Sequence, residues 1–346
     1  MDAVARFSSS AGAMNVPWVD SPFFPQLLEG AGMNAEAQRL LMDYARQGYV
    51  LIDPEIPDSV LESIVRGLRD RFRPTYEPYY ADETRIQDAW LFNENVKAVA
   101  AAPRVLEILN LLYQRTAIPF QTLNFRVGSQ QRTHSDTIHF DSIPQGFMCG
   151  VWLALEDIDH YNGPLHYYPE SHKLPIYNMA DIGISGSFQT HPYDNYSKYE
   201  DFVEALMKTE QLERQEIRVK RGQALIWSAN LFHGGTPIID TSRTRFSQVT
   251  HYYFEGCLYY TPLMSDPALG KMYTRRSVDV ATGEVIPQYY NGRRVVNPGE
   301  WPPQIEGQNL VQPKPIVEPA SPQKLHERFL SWLARPDMPR DLARGR

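Results

Sequence analysis

Cysteine is scarce in this chain: two occur among 346 residues, Cys149 and Cys257. Both sit inside apolar, strand-like runs where a small hydrophobe would also fit. No CxxC pair or Cys/His cluster accompanies them, which excludes a disulfide framework and a ribbon-type zinc site and fits a reducing, cytoplasmic compartment. Long apolar runs are absent too. None approaches the ~18 residues needed to span a bilayer, and the opening stretch MDAVARFSSSAGAMNVPW has no basic segment leading into a continuous apolar one. Neither a membrane nor export is expected. Positive charge is in short supply, with 34 Lys and Arg against 41 Asp and Glu and a formal net charge of -7. The one basic cluster, Arg66 to Arg73, lies on an amphipathic helical pattern and reads as its solvated face. Nucleic acid is therefore not an expected partner. Internal repeats and low-complexity tracts are missing as well.

What the chain does have is 42% apolar and 12% aromatic residues, enough for a large buried core. Asn34 to Gln47 carries Leu40, Leu41 and Tyr44 on a helical stripe between a capping Asn and Gly48. A short strand, YVLID, follows. Ser59 with Glu62 has the form of a capping box ahead of Leu61, Ile64, Val65, Leu68 and Phe72 at helical spacing. Val96 to Tyr113 is again helical in pattern, with Pro103 suited to the first turn of a new helix. From Pro119 onward the pattern changes to strands in series, FQTLNFRVG, GFMCGVWLALEDI, LHYYPES, EIRVKRGQALIWSA and TRFSQVTHYYFEGCLYY, with Asn162-Gly163 as the strongest hairpin signal. Helices followed by many strands, with no βαβ rhythm, predict a mainly β fold with flanking helices around a double-stranded β-helix, the cupin-like jelly roll. The expected layout is a helical region over 1-115, a jelly-roll core over 116-262 with a lid-like excursion at about 174-214, and a Pro-rich extension over 263-346 ending in a helix, QKLHERFLSWLA. All of it is expected to form one structural domain.

The chemistry is concentrated in QRTHSDTIHFDSIP, which holds His-x-Asp twice: His134-Ser135-Asp136 and His139-Phe140-Asp141. A His and an Asp two apart on an extended chain face the same side and can ligate one metal ion. The two pairs have opposite parity, so one straight strand cannot use both. A further candidate, His233, ends an apolar strand just before Gly234-Gly235, and a jelly roll brings such distant strands together. Two imidazoles and one carboxylate leave three positions open on an octahedral iron(II), the arrangement of oxygen-activating non-heme enzymes. Arg245 and Arg243 follow; an arginine inside the barrel is costly unless it meets an anion, whose carboxylate its planar fork would grip.

HSDTIHF, VWLALEDIDHYNGPLHYYPESHK and GQALIWSANLFHGG followed by TRFSQVTHYYF resemble, in order and spacing over roughly 119-254, the motifs of the phytanoyl-CoA dioxygenase family of iron(II)- and 2-oxoglutarate-dependent oxygenases. The resemblance selects between the pairs. Trp152 stands 18 residues after His134, as in the family, so His134, Asp136 and His233 are implied as the metal ligands. It also implies Arg245, six before His251, as the 2-oxoglutarate anchor, with Trp152 packing near the cosubstrate. Gln121 and Gln131 are amide candidates for its carboxylate, and His139 and Asp141 are candidates for substrate contact. His251 reads as a satisfied core imidazole, and His160, His166 and His172 as structural. Two departures stand out: Gly235 where many relatives have a hydroxyl residue, and Glu170 where relatives favour Gly. The implied cofactors are Fe(II), 2-oxoglutarate and O2, and the implied reaction is hydroxylation or another oxidation of an unactivated C–H bond in a small-molecule substrate, with release of succinate and carbon dioxide. A non-catalytic or differently metallated jelly roll that only binds a small molecule, and a cupin-type metal-dependent isomerase or lyase, are the alternatives; the cupin-type barrels have no need for Arg245. Monomer and homo-oligomer stay equally open.

Overall fold

Residues 15-72, 84-187, 193-300 and 302-307 are described by a computed structural model of the chain, which divides into a compact unit, Met1–Glu306, and a C-terminal stretch, Gly307–Arg346. The helix expected at QKLHERFLSWLA lies outside the described residues. Among those described, no helix is long and apolar enough to cross a membrane.

The chain runs through helices α1 (Phe24–Gly30) and α2 (Ala35–Gln47), strand β1 (Tyr49–Ile52), helix α3 (Asp58–Leu68), strand β2 (Arg85–Gln87), and helices α4 (Glu94–Ala100) and α5 (Pro103–Tyr113). Helix α2 has the caps its sequence calls for: the Asn34 side chain accepts from the N–H of Ala37 at 2.8 Å, and Gly48 closes it at φ 82°. Helix α3 departs from expectation. It starts at Asp58 behind Pro57, with no side-chain cap, so Ser59 lies inside the helix and forms no capping box. The fixed φ of Pro57 already sets the entry, and Asp58 complements the N-terminal dipole. Helix α3 ends before Phe72, which is nevertheless buried, edge-on to Phe246 at 5.8 Å.

Strands β3 (Ala117–Phe125), β4 (Asp141–Ile143), β5 (Met148–Ala154) and β6 (Leu165–Tyr167) follow, then helix α6 (Tyr196–Glu210) and strands β7 (Gln215–Glu216), β8 (Ala224–Ser228), β9 (His233–Gly235), β10 (Ser247–Phe254) and β11 (Leu258–Tyr260). They form an antiparallel six-stranded sheet in the order β1-β8-β5-β10-β3-β2, a three-stranded sheet β7-β6-β9 and a pair β11-β4. This is the predicted jelly roll. Strand β5 is apolar at every position because both its faces are covered. Val151 and Leu153 join the core shared with the helices, while Trp152 and Ala154 point into the barrel. Strand β10 is likewise buried on both faces. Gln248 and Tyr252 hydrogen-bond the carbonyls of Val96 and Ala100 on α4, while Val249 and His251 face the cavity inside the barrel.

The Asn162-Gly163 turn is built differently from a two-residue hairpin. Only Gly163 takes a positive φ, 76°; Asn162 is buried and its amide donates to the carbonyls of Asp157 and Thr244, plugging a longer loop. In the PESHK turn, Glu170 stands at φ 68°, ψ -8°, the left-handed region that costs a non-glycine residue about 1 kcal/mol. Its exposed pair with Lys173, at 3.1 Å, returns little of that. Glu170→Gly is therefore expected to raise the melting temperature by about 2 °C. A lower Tm in thermal unfolding would show that the Lys173 pair outweighs the backbone.

Candidate active site

The three predicted ligand residues meet at one end of the barrel. His134 and His233 face each other across an antiparallel bridge, each backbone N–H donating to the other's carbonyl at 2.9 Å. The strand carrying His233 and the segment carrying His134 are pressed together there. A Cβ on Gly234 would lie 2.7 Å from the carbonyl oxygen of Gln131, and one on Gly235 would lie 2.5 Å from the backbone nitrogen of Gln130. This explains the departure at Gly235: the approach that joins the two histidines leaves no room for a side chain. Asp136 begins a 3-10 turn capped by Ser135, whose hydroxyl also donates to the carbonyl of Ala229 at 3.0 Å.

Each histidine is locked in one tautomer. Nδ1–H of His134 donates to the carbonyl of Arg132 at 2.9 Å, and Nδ1–H of His233 to the carbonyl of Leu231 at 2.9 Å. Carbonyls only accept, so on each ring the lone pair sits on Nε2. Oδ1 of Asp136 lies 3.8 Å from Nε2 of His134 and 3.9 Å from Nε2 of His233, and the three donor atoms fall within 4.8 Å of one another. Burial lowers the His134 imidazole to about 3, so it is neutral and ready to ligate at physiological pH. Asp136 is pushed up by burial, but the imidazoles of His233, His251 and His134 and the indole N–H of Trp227 more than offset this and hold it at about 2. Two imidazoles beside an ionised carboxylate are the donor set that a divalent ion of iron(II) type takes. The residues fit a metal.

A cavity of about 490 Å³ opens beside these donors and extends to Arg245 and Trp152. Arg245 is 1% exposed. It donates to Oγ of Ser247 at 2.7 Å, its Nε has no partner, and its guanidinium carbon stands 5.5 Å and 5.6 Å from the ring centres of Phe125 and Trp152. The indole N–H of Trp152 is also buried without a partner. Two orphaned buried donors at one end of a cavity require an acceptor, and a carboxylate of a dicarboxylic cosubstrate fits them. The hydroxyl beside the arginine, missing at Gly235, is supplied by Ser247. Arg243 lies elsewhere, paired with Asp159 at 2.9 Å.

The other predicted residues divide. Gln121, Gln131 and His139 line the cavity, and Asp141 does not. The side-chain nitrogen of Gln131 lies 3.3 Å from Nε2 of His134. Oε1 of Gln121 lies 3.0 Å from Nδ1 of His251, and Nε2 of His139 lies 3.0 Å from the hydroxyl of Tyr196. Asp141 is buried on β4 with Gln145 and Tyr260, where burial pushes its carboxyl up to about 6. His160 pairs with Glu216, His166 with Thr133 and His172 with the carbonyl of Ala45. Tyr193 and Tyr196, from tyrosine-rich segments whose composition suits a polar or ring-bearing small molecule, line the cavity, and so does Trp227, to which the sequence assigns no role. His251, read as a core imidazole, also lines the cavity, with Nε2 3.7 Å from Oδ2 of Asp136. Strand parity places it there, since it shares a face with Arg245. Trp227 leaves no comparable signal.

A jelly roll that gathers two imidazoles, a carboxylate and a buried arginine around one cavity defines a non-heme iron oxygenase dependent on 2-oxoglutarate. The sequence profile of the phytanoyl-CoA dioxygenase (PhyH) family matches residues 44-246, more than half of the chain, and the chain belongs to that family. No curated protein sequence matches it. Among solved structures, the chain is similar to the epimerase SnoN in complex with Fe3+, alpha ketoglutarate and nogalamycin RO, at 17% identity over 75% of this chain and 97% of that one, with a TM-score of 0.50. It is also similar to the non-heme alpha ketoglutarate dependent carbocyclase SnoK from nogalamycin biosynthesis, at 15% identity over 66% and 87%, TM-score 0.51. EctD from S. alaskensis with 2-oxoglutarate and 5-hydroxyectoine is 16% identical over 64% and 76%, TM-score 0.47. At these identities the likeness is one of fold.

Proposed function

We propose that His134, Asp136 and His233 hold iron(II), that Arg245 receives the far carboxylate of 2-oxoglutarate, and that the enzyme hydroxylates a C–H bond of a small molecule. The observation that carries this is the convergence of three donors at one end of a cavity whose other end holds a buried arginine with an unpartnered N–H. Bound there, iron and cosubstrate supply the oxidation of the C–H bond by dioxygen, with release of succinate and carbon dioxide. The protein's own work is to bind and orient. The two Nδ1–H bonds aim the imidazoles, Arg245 with Ser247 fixes the cosubstrate's length and direction, and Trp152 and Phe125 keep water from that end. His139, Tyr193 and Tyr196 form the wall left for the prime substrate. Helix α6, which carries Tyr196, is tied to the metal-bearing segment by Arg132 through Glu204 at 2.9 Å and Asp201 at 2.6 Å, which supports reading the excursion at 174-214 as the cover of the substrate side. Ligation by Asp136 favours hydroxylation over halogenation, because the carboxylate fills the position a halide would need. The free, buried cysteines suit a reducing cytoplasm.

Anaerobic addition of iron(II) and 2-oxoglutarate is expected to give a weak visible charge-transfer band. No band at full metal occupancy would favour the binding-only or isomerase readings. A screen of small molecules for stimulated succinate release then identifies the prime substrate.

A further inference from the structure

The two oxygens of Asp136 have different surroundings. Oδ1 faces both ligand imidazoles. Oδ2 accepts a hydrogen bond from the indole N–H of Trp227 at 2.8 Å, while His251 flanks it at 3.7 Å, beyond hydrogen-bond reach. The indole is held there by the sheet. Trp227 on β8 pairs with Gly150 on β5, which pairs in turn with His251 on β10. Its ring lies over Gly150 so closely that a Cβ on that residue would stand 2.3 Å from the indole. A glycine in the middle of a central, fully buried strand is costly in itself; here its missing side chain is the space the indole fills. Trp227 is 2% exposed, so the ring cannot turn to another partner without repacking the barrel.

We propose that Trp227 is a positioning residue that holds Oδ2 of Asp136 off the metal, so that the carboxylate ligates through Oδ1 alone and three positions stay open for cosubstrate and dioxygen. A carboxylate is able to chelate through both oxygens, and doing so would take one of those three positions. The inference rests on the metal assignment above and adds to it the group that sets the carboxylate's mode of binding.

The test uses Mn(II) as the probe, without 2-oxoglutarate, and counts exchangeable waters on the ion by water-proton relaxation. Trp227→Phe keeps the aromatic body and removes the N–H; benzothienylalanine at position 227 does the same with the indole's own shape and serves if the phenylalanine variant does not fold. The expected result is one exchangeable water fewer than in the wild-type protein, with the melting temperature of the apo protein within a few degrees. An unchanged water count in a folded variant overturns the proposal and leaves the metal site standing. A wild-type protein that binds no Mn(II) overturns both.

Discussion

Asp136→Ala abolishes the charge-transfer band of the iron(II)–2-oxoglutarate complex and lowers turnover by at least ~10³-fold, about 4 kcal/mol in the barrier. The side chain is the one carboxylate among three donors lying within 4.8 Å of one another, so its loss leaves two imidazoles and no negatively charged ligand for a divalent ion. Stability changes as well. The variant leaves the Trp227 N–H buried without its acceptor, a cost of ~1–3 kcal/mol, and urea unfolding in EDTA is expected to show it about 2 kcal/mol less stable at pH 7. A variant that binds iron(II) and gives a wild-type band would remove Asp136 from the metal site.

The fold was legible because it depends on local pattern: alternating apolar strands after a helical third specify a jelly roll. The candidate ligands were legible only in part, since the pattern offers two His-x-Asp pairs and the family resemblance chose between them. The misreadings have two causes. Ser59 and Glu62 have the spacing of a capping box, but Pro57 had already set the start of α3. Asn162 and Gly163 have the composition of a tight turn, but the buried Asn162 amide serves two carbonyls of a longer loop. Asp141 follows a ligand-like histidine in sequence, yet lies on β4 away from the cavity. For Asn162 and Asp141 a tertiary partner decided between local options, and for Ser59 a neighbouring proline did. Trp227 is the strongest case: its role depends on an empty Cβ position on the neighbouring strand, and only strand register reveals that.

Arg245→Met is expected to move stability and cosubstrate binding in opposite directions, which makes it the sharper test of the other end of the cavity. Without cosubstrate the guanidinium is a buried cation with one hydrogen bond, to Ser247, and an unpartnered Nε. Burial lowers it to about 10, still charged at neutral pH, and the direction shows that the folded state disfavours the charge there. Removing one member of a buried charge pair is normally destabilising because the other is left alone; in the empty site the charge of Glu156 favours the guanidinium but does not offset its burial. Methionine fills most of the same space without the charge, so the apo protein's melting temperature is expected to stay level or rise by a few degrees. Cosubstrate affinity falls by about 10²–10³-fold, in keeping with the ~2–5 kcal/mol lost when a buried, hydrogen-bonded charge pair loses one partner. Thermal shift reads both effects in one experiment. With Mn(II) present, 2-oxoglutarate at about 100 times its Kd stabilises the wild type by ~2.7 kcal/mol, and the same concentration leaves the variant nearly unshifted. If the apo variant melts well below wild type while the 2-oxoglutarate shift persists, Arg245 is a structural cation and the cosubstrate binds elsewhere. The opposite pattern means that a stability cost is built into the empty enzyme and is recovered when its cosubstrate arrives.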